Sequence, residues 1–253
     1  MTQTEGKFYV AFSSSTTTLT DRMTMLIGNT ASPTSALSST SLANPGLAAQ
    51  TVAWNPPGTL LAVRTASTIR IYTRSGDTVS LNAVTTNLSG GQTTANEEDL
   101  TWNYNGTVLA TCDLNASTIY RFSAASNGAL TALTNTTSPT SGSQIFPAFN
   151  PLVDYAGVMA VGGQTALRLG IMYFNDNGSG TLASATTGGL ITTTAGSIQV
   201  RWSPTGDKLM LMSGSGFRMY DFVYSSGSTA TSSFINLVTV VTSVTGMDWI
   251  YYN

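Results

Sequence analysis

Few side chains in this sequence can do chemistry, and their spacing limits what they can do. Glu97, Glu98 and Asp99 form the one acidic cluster. Three adjacent carboxylates could hold a hard cation or a basic partner. No alternating Asp-x-Asp-x-Asp-Gly calcium loop accompanies them, and a solvated loop is the plainer reading. Arg70, Arg168 and Arg218 read as equivalent places in three repeated segments. A ring of guanidinium groups there could hold an anion or a carboxylated sugar. Alternatively, each packs its alkyl stem between neighbouring sheets. Cys112 closes the apolar run Val108-Leu109-Ala110-Thr111-Cys112 and reads as a small buried hydrophobe. Ser213-Gly214-Ser215-Gly216 lacks the lysine and following helix of a phosphate loop, so it reads as a turn. Asn87-Leu88-Ser89, Asn105-Gly106-Thr107 and Asn115-Ala116-Ser117 match glycosylation sequons. With 42 threonines and 30 serines, such matches arise by chance.

Composition closes further routes. The 253 residues include no histidine, so imidazole ligands and imidazole-dependent dyads or triads are impossible. One cysteine excludes an internal disulfide and a thiolate zinc cluster. Ten Lys and Arg against 12 Asp and Glu, a net charge of -2, argue against a nucleic-acid surface. Charged residues make up 9% of the chain, where a soluble domain carries about 25%. The expectation is a non-enzyme: no catalytic, metal or cofactor-binding residue is assigned, no cofactor is expected, and substrate-binding residues are left open.

The elements that must position these residues repeat. Val52-Ala53-Trp54-Asn55-Pro56-Pro57-Gly58 recurs as Leu100-Thr101-Trp102-Asn103-Tyr104-Asn105-Gly106 and as Val200-Arg201-Trp202-Ser203-Pro204-Thr205-Gly206. A fourth copy, Pro147-Ala148-Phe149-Asn150-Pro151, has Phe for Trp, and the last Trp lies in Gly246-Met247-Asp248-Trp249. The aromatic residue returns at 54, 102, 149, 202 and 249, a period of 47 to 53 residues that suits one four-stranded propeller blade. After each aromatic comes a turn of Pro, Asn and Gly. An apolar strand follows: 60–64, 108–112, 158–161 and 209–212. An alternating strand comes next: 68–72, 118–122, 167–169 and 217–220. The weaker fourth strand covers 78–81, 129–133, 181–185 and 233–237. Period-two patterning and β-branched residues predict strands throughout, with no helix.

Gly6-Lys7-Phe8-Tyr9-Val10-Ala11 aligns with Gly58-Thr59-Leu60-Leu61-Ala62-Val63, a second strand with no first strand before it. The Trp249 segment is a first strand with no second after it. Pairing the two would close a ring and remove two open sheet edges. The expected fold is all-β: one five-bladed β-propeller of four-stranded antiparallel blades over 1–253. Blade 1 would be 6–49 with 245–253, and the others 50–98, 99–145, 146–197 and 198–244.

The phrases Val-Ala-Trp-Asn-Pro-x-Gly-x-Leu-Leu-Ala and Ile-Arg-Ile-Tyr resemble WD40-type β-propellers. The Trp-Asp that closes that family's third strand appears only as Tyr72-Thr73 and Tyr220-Asp221, and the Gly-His pair is absent. The Asp-His-Ser/Thr-Trp network of the family therefore has no counterpart. The blade count and period are also similar to tachylectin-type lectins. The repeated aromatics could stack on sugars, but their fixed place in the repeat reads as packing between blades. Binding is expected in the loops that differ between repeats, 13–21, 28–45, 85–99, 135–144, 186–197 and 224–232.

The N-terminal segment Met1 to Lys7 has no basic-then-apolar export pattern, while the Thr-, Ser-, Gly- and Asn-rich composition suits an extracellular surface. The longest apolar-leaning stretch, 234–244, is too short to span a membrane. Together these lead to the expectation of a bacteriophage virion structural protein. It would be made in the host cytoplasm and would act as a capsid decoration or a head, tail or fibre component. Its partners would be other virion proteins and copies of itself. Only Lys7 and Lys208 supply lysine to guard sheet edges, so neighbouring subunits are expected to cover some of them. The alternative is a lectin-like propeller recognising a host surface glycan. A propeller lactonase is not expected, for want of histidine or of paired acids at a common point.

Overall fold

The computed structural model describes residues 7–13, 23–29, 38–41, 49–65, 68–87, 100–112, 118–137, 145–152, 157–163, 168–174, 185–192, 197–213, 216–223 and 231–233. Among them there is no helix, and twenty strands form five antiparallel sheets. The first sheet holds β1 (Lys7–Ser13), β2 (Met23–Asn29) and β3 (Ser38–Ser41) in that order. The second runs β4 (Ala49–Trp54), β5 (Leu60–Thr65), β6 (Thr68–Ser75), β7 (Thr78–Asn87). The third runs β8 (Leu100–Trp102), β9 (Val108–Cys112), β10 (Thr118–Ala124), β11 (Leu130–Ala132), and β12 (Thr136–Thr137) also pairs with β10. The fourth is β13 (Ile145–Phe149), β14 (Val158–Gly163), β15 (Arg168–Phe174), β16 (Ala185–Thr192). The fifth is β17 (Ser197–Trp202), β18 (Lys208–Ser213), β19 (Gly216–Val223), β20 (Thr231–Ser233). Each four-stranded sheet is an up-and-down meander in chain order, as the repeat predicts.

The register fixes the repeat. Trp54 pairs with Leu61, Trp102 with Leu109, Phe149 with Met159 and Trp202 with Leu209. The sheets divide into two compact units. One takes the first and second sheets with residues 126–129, and the other takes the third to fifth sheets.

In the unit of three sheets the core forms two layers. Val158 and Ala160 of β14 join Val200, Trp202, Leu209, Leu211, Tyr220 and Phe222 of the fifth sheet. Met159 and Val161 of the same strand join Val108, Ala110, Cys112 and Ile119 of the third. Alternate residues of one strand thus enter opposite layers, which is why β14 is buried at all six positions. β5 and β9, the same strand in their sheets, are buried throughout too. Their mostly apolar runs, Leu60–Val63 and Val108–Ala110, fit strands covered on both faces.

The fourth strand of the fourth sheet, expected at 181–185, is described over 185–192, and 181–184 lie outside the described residues. Its Gly188-Gly189 pair falls in the segment read as a loop, 186–197, but Ile171 pairs with Gly188 and Gly170 with Leu190. Gly189 is the extra residue of a β-bulge, a role glycine fills readily. The fourth strand of the fifth sheet, expected at 233–237, is described at β20, 231–233, and 234–237 lie outside the described residues. Strand also occupies parts of the segments read as binding loops: residues 28–29 and 38–41, 85–87, 136–137, and 186–192. The Trp249 segment and its pairing with β1 lie outside the described residues.

Candidate functional site

The turns after Trp54, Trp102 and Trp202 are each built around one buried polar side chain. Asn55 Oδ1 accepts hydrogen bonds from the N–H groups of Thr59 and Leu60, both at 2.9 Å. Asn103 Oδ1 does the same for Thr107 and Val108, again at 2.9 Å. In the fifth sheet Ser203 takes the place, its Oγ accepting from Lys208 N–H at 3.1 Å and donating to Asp207 Oδ1 at 3.0 Å. Gly58, Gly106 and Gly206 complete these turns at φ of 67°, 72° and 65°, where a side chain is strained. Asn150 instead reaches from the fourth sheet to the fifth, Nδ2 donating to Gly206 O at 2.8 Å. The Pro/Asn/Gly pattern shows a turn, but nothing in it says that the Asn is buried and holds the next strand.

Three of the four described aromatics are enclosed packing residues, and Trp54 is half-buried. Trp102, Phe149 and Trp202 are buried. Trp202 Nε1 donates to Ala148 O at 2.8 Å, and its ring meets Phe222 edge-on at 4.8 Å. Stacking on a sugar is not open to a ring so enclosed.

The three arginines do not share one register position. Arg70 pairs with Val63 and Arg218 with Leu211, which are equivalent places. Arg168 pairs with Gly163, two residues away in register, and Gly170 holds the equivalent place opposite Val161. In the third sheet that place is Tyr120, opposite Thr111. Sequence spacing missed this because the turn before β15 is longer than those before β6 and β19. Arg70 hydrogen-bonds Tyr72, whose phenol is pushed above its ordinary range by burial, opposed by the charge and hydrogen bond of Arg70.

Two other arginines, unremarked in sequence, lie in the core. Arg64 on β5 is fully buried, and Arg121 on β10 nearly so. Arg121 Nη2 donates to Thr134 O at 3.0 Å, and its guanidinium sits 4.6 Å over the Phe174 ring. Desolvated cation–π packing of this kind ties the third sheet to the fourth.

Cys112 is buried in the layer between those sheets, as expected. Glu97–Asp99 and the Asn115 sequon lie outside the described residues, as do 214–215 of the Ser-Gly run, whose ends belong to β18 and β19. At the second sequon, Asn105 Oδ1 accepts from Thr107 Oγ1 at 2.6 Å. Lys208 meets Asp221, its partner across the ladder, at 2.7 Å, and that bond raises the lysine pKa. Asp207 is held below the ordinary carboxylate range, first by the hydrogen bond from Thr205.

Repeat symmetry breaks at the residue before each aromatic. It is Ala53, Thr101, Ala148 and Arg201, paired with Ala62, Ala110, Ala160 and Met210. In the unit of three sheets, Thr101, Ala148 and Arg201 line one cleft of about 260 Å³ with Leu100, Pro147, Phe149, Pro151 and Trp202. Thr101 Oγ1 accepts from Phe149 N–H at 3.1 Å, and Arg201 Nη1 donates to Val200 O at 2.9 Å. Apolar side chains and polar surface share the walls, with one guanidinium and one hydroxyl among the described lining residues. The described lining residues offer hydrogen-bonding groups among apolar side chains, an arrangement that suits binding. Arg201 stood in plain view in the sequence. Its signal was being the one positive charge at a place held by Ala, Thr or, before Trp249, Asp248.

No protein-family model matches the chain, and no curated protein matches it. Solved structures do. A protein of unknown function from Desulfotomaculum acetoxidans is similar at 14% identity and a TM-score of 0.66, over 84% of this chain and 62% of that one. A candidate 6-phosphogluconolactonase from Bacteroides uniformis is similar at 14% identity and a TM-score of 0.61, over 85% of this chain and 65% of that one. Chaetomium thermophilum Sqt1, solved bound to the N-terminus of ribosomal protein L10, is similar at 17% identity and a TM-score of 0.55, over 84% and 55%. The chain thus spans less than two thirds of the length of each. Likeness at such identities speaks for the fold alone, and with the meandering four-stranded sheets it establishes a β-propeller fold.

Proposed function

We propose that the chain is a non-enzymatic propeller that works through protein–protein contacts as a structural component of a bacteriophage particle. One observation carries the non-enzymatic part. The repeat's buried polar side chains, Asn55, Asn103, Asn150 and Ser203, are spent on turns and on contacts between sheets. A scaffold so committed leaves recognition to the surface. The surface composition supports the particle: 72 hydroxyl residues and two lysines in 253, on a chain with almost no net charge. Mass spectrometry of purified particles from the source culture should find the chain in many copies per particle. Its absence from the particles would remove the reading.

The finer architecture belongs to the same proposal. Five blades close into a ring, with residues 245–253 supplying the first strand of the blade that holds β1 to β3. Aligning Trp249 with Trp54 places it opposite Tyr9, as Trp54 stands opposite Leu61. Deleting 245–253 would then bare the β1 edge, and the shortened chain should self-associate at micromolar concentration. A monomeric, equally stable deletion variant would exclude this closure.

A further inference from the structure

We infer that the edge of β1 beside Trp54 is a docking slot for an extended strand, that residues 245–253 of the same chain fill it, and that the Trp54 indole N–H donates to the main-chain carbonyl of Asp248. Trp54 and Trp202 hold one place in the repeat, opposite Leu61 and Leu209. Trp202 Nε1 donates at 2.8 Å to the carbonyl of Ala148, the residue before the aromatic on the first strand of the preceding sheet. Trp54 Nε1 is shielded from solvent too, yet it has no acceptor among the described residues. An indole N–H can only donate, and a buried donor left unmatched destabilises the fold. The place of the acceptor follows from the packing. β1 packs against β4 as β14 packs against β17. The fourth sheet also has β13, which pairs with β14, packs against β17 and carries the Ala148 carbonyl. In the first sheet β1 pairs with β2 along Lys7–Ser13, and no described strand pairs with its other edge. The described first sheet thus lacks a counterpart of β13, and Trp54 lacks the carbonyl that such a strand supplies. An open strand edge takes an extended segment by ladder pairing. Outside the described residues, 245–253 carries the remaining aromatic of the repeat, Trp249. With Trp249 in the aromatic place, Asp248 is the residue before it and offers the carbonyl. The inference rests on the ring closure proposed above and adds the contact that fixes its register.

The test is hydrogen exchange at the indole N–H groups, followed by NMR in the full-length chain, with signals assigned through Trp54→Phe and Trp202→Phe. Trp54 should exchange within about threefold of the rate of Trp202, as suits two bonded indoles in matching places. In a chain lacking 245–253, Trp54 should exchange about tenfold faster or more, while Trp202 keeps its rate and so reports that the fifth sheet is still folded. A separate 245–253 peptide should restore slow exchange at Trp54. The full-length measurement decides by itself should the shortened chain fail to fold. Fast exchange at Trp54 in the full-length chain would overturn the inference and, if the shortened chain still self-associates, would leave the closure standing. Slow exchange at Trp54 that the deletion does not alter would overturn it as well, and a shortened chain that is also monomeric and equally stable would remove the closure with it. Slow exchange that is lost on dilution of the full-length chain would give the slot to a second copy and overturn the assignment to the same chain.

Discussion

Asn103 shows how much one amide carries. Its oxygen serves two backbone N–H groups at the start of β9, and its Nδ2 reaches Thr107 Oγ1 at 3.3 Å. Asn103→Ala leaves a buried donor at Val108 without its acceptor, at a cost of about 1 to 3 kcal/mol. The melting temperature should fall by roughly 2 to 4 °C for each kcal/mol. Asn103→Asp restores the acceptor and should recover part of the loss. Recovery absent in Asp would mean the amide's role is not acceptance. Tyr72 makes a prediction about pH. Burial raises its pKa above 10.0, so the folded state holds the proton that the unfolded chain releases. The stabilisation is complete below pH 10 and drains as pH rises toward the folded value. Tyr72→Phe should flatten that alkaline loss in urea melts between pH 9 and 11. An unchanged slope would assign the alkaline loss to other groups.

At the scale of strands, Gly157 and Gly58 look alike in sequence but are glycine for different reasons. Gly58 has a positive φ, whereas an added Cβ at Gly157 would lie 1.7 Å from the Phe174 carbonyl oxygen. Gly157 O also accepts from Phe174 N–H at 2.6 Å, where Thr59 O serves Arg74 in the second sheet. Gly157→Ala must therefore push β14 and β15 apart, at a cost of about 1 to 3 kcal/mol or more. Its urea midpoint should drop further than that of Gly76→Ala, where an added Cβ meets nothing within 4 Å although φ is +58°. The contrast marks what the sequence could convey. Strand order and the second and third strands were legible, because burial on both faces writes an apolar run and Trp marks the phase. The Arg168 register was not, because pairing depends on turn length and the repeat fixes only the first two strands. β16 was hidden by a bulge that uses the same Gly-Gly a turn would use. The cleft was hidden because its lining comes from three segments about fifty positions apart, near 101, 148 and 201, which become neighbours only when the sheets stack.

For the molecule as a whole, stacked sheets make stability a matter of each sheet and its neighbours. In the unit of three sheets, the fourth is bound on one side by the Trp202 layer and on the other by the Cys112 layer. The fifth sheet's hold on the fourth includes Trp202, through its ring and through its bond to Ala148 O. Trp202→Ala should cost about 3 to 5 kcal/mol. Because the loss falls on one layer, it should not spread evenly. Hydrogen exchange should accelerate most in β17 to β19, less in β14, and least in β9 and β10, which the Arg121–Phe174 contact still ties to β15. Trp202→Phe, which keeps a ring but orphans the Ala148 carbonyl, should give a milder version of the same gradient. Uniform acceleration across all three sheets would show instead that they unfold as one cooperative block, and the layer-by-layer account of this propeller would be wrong.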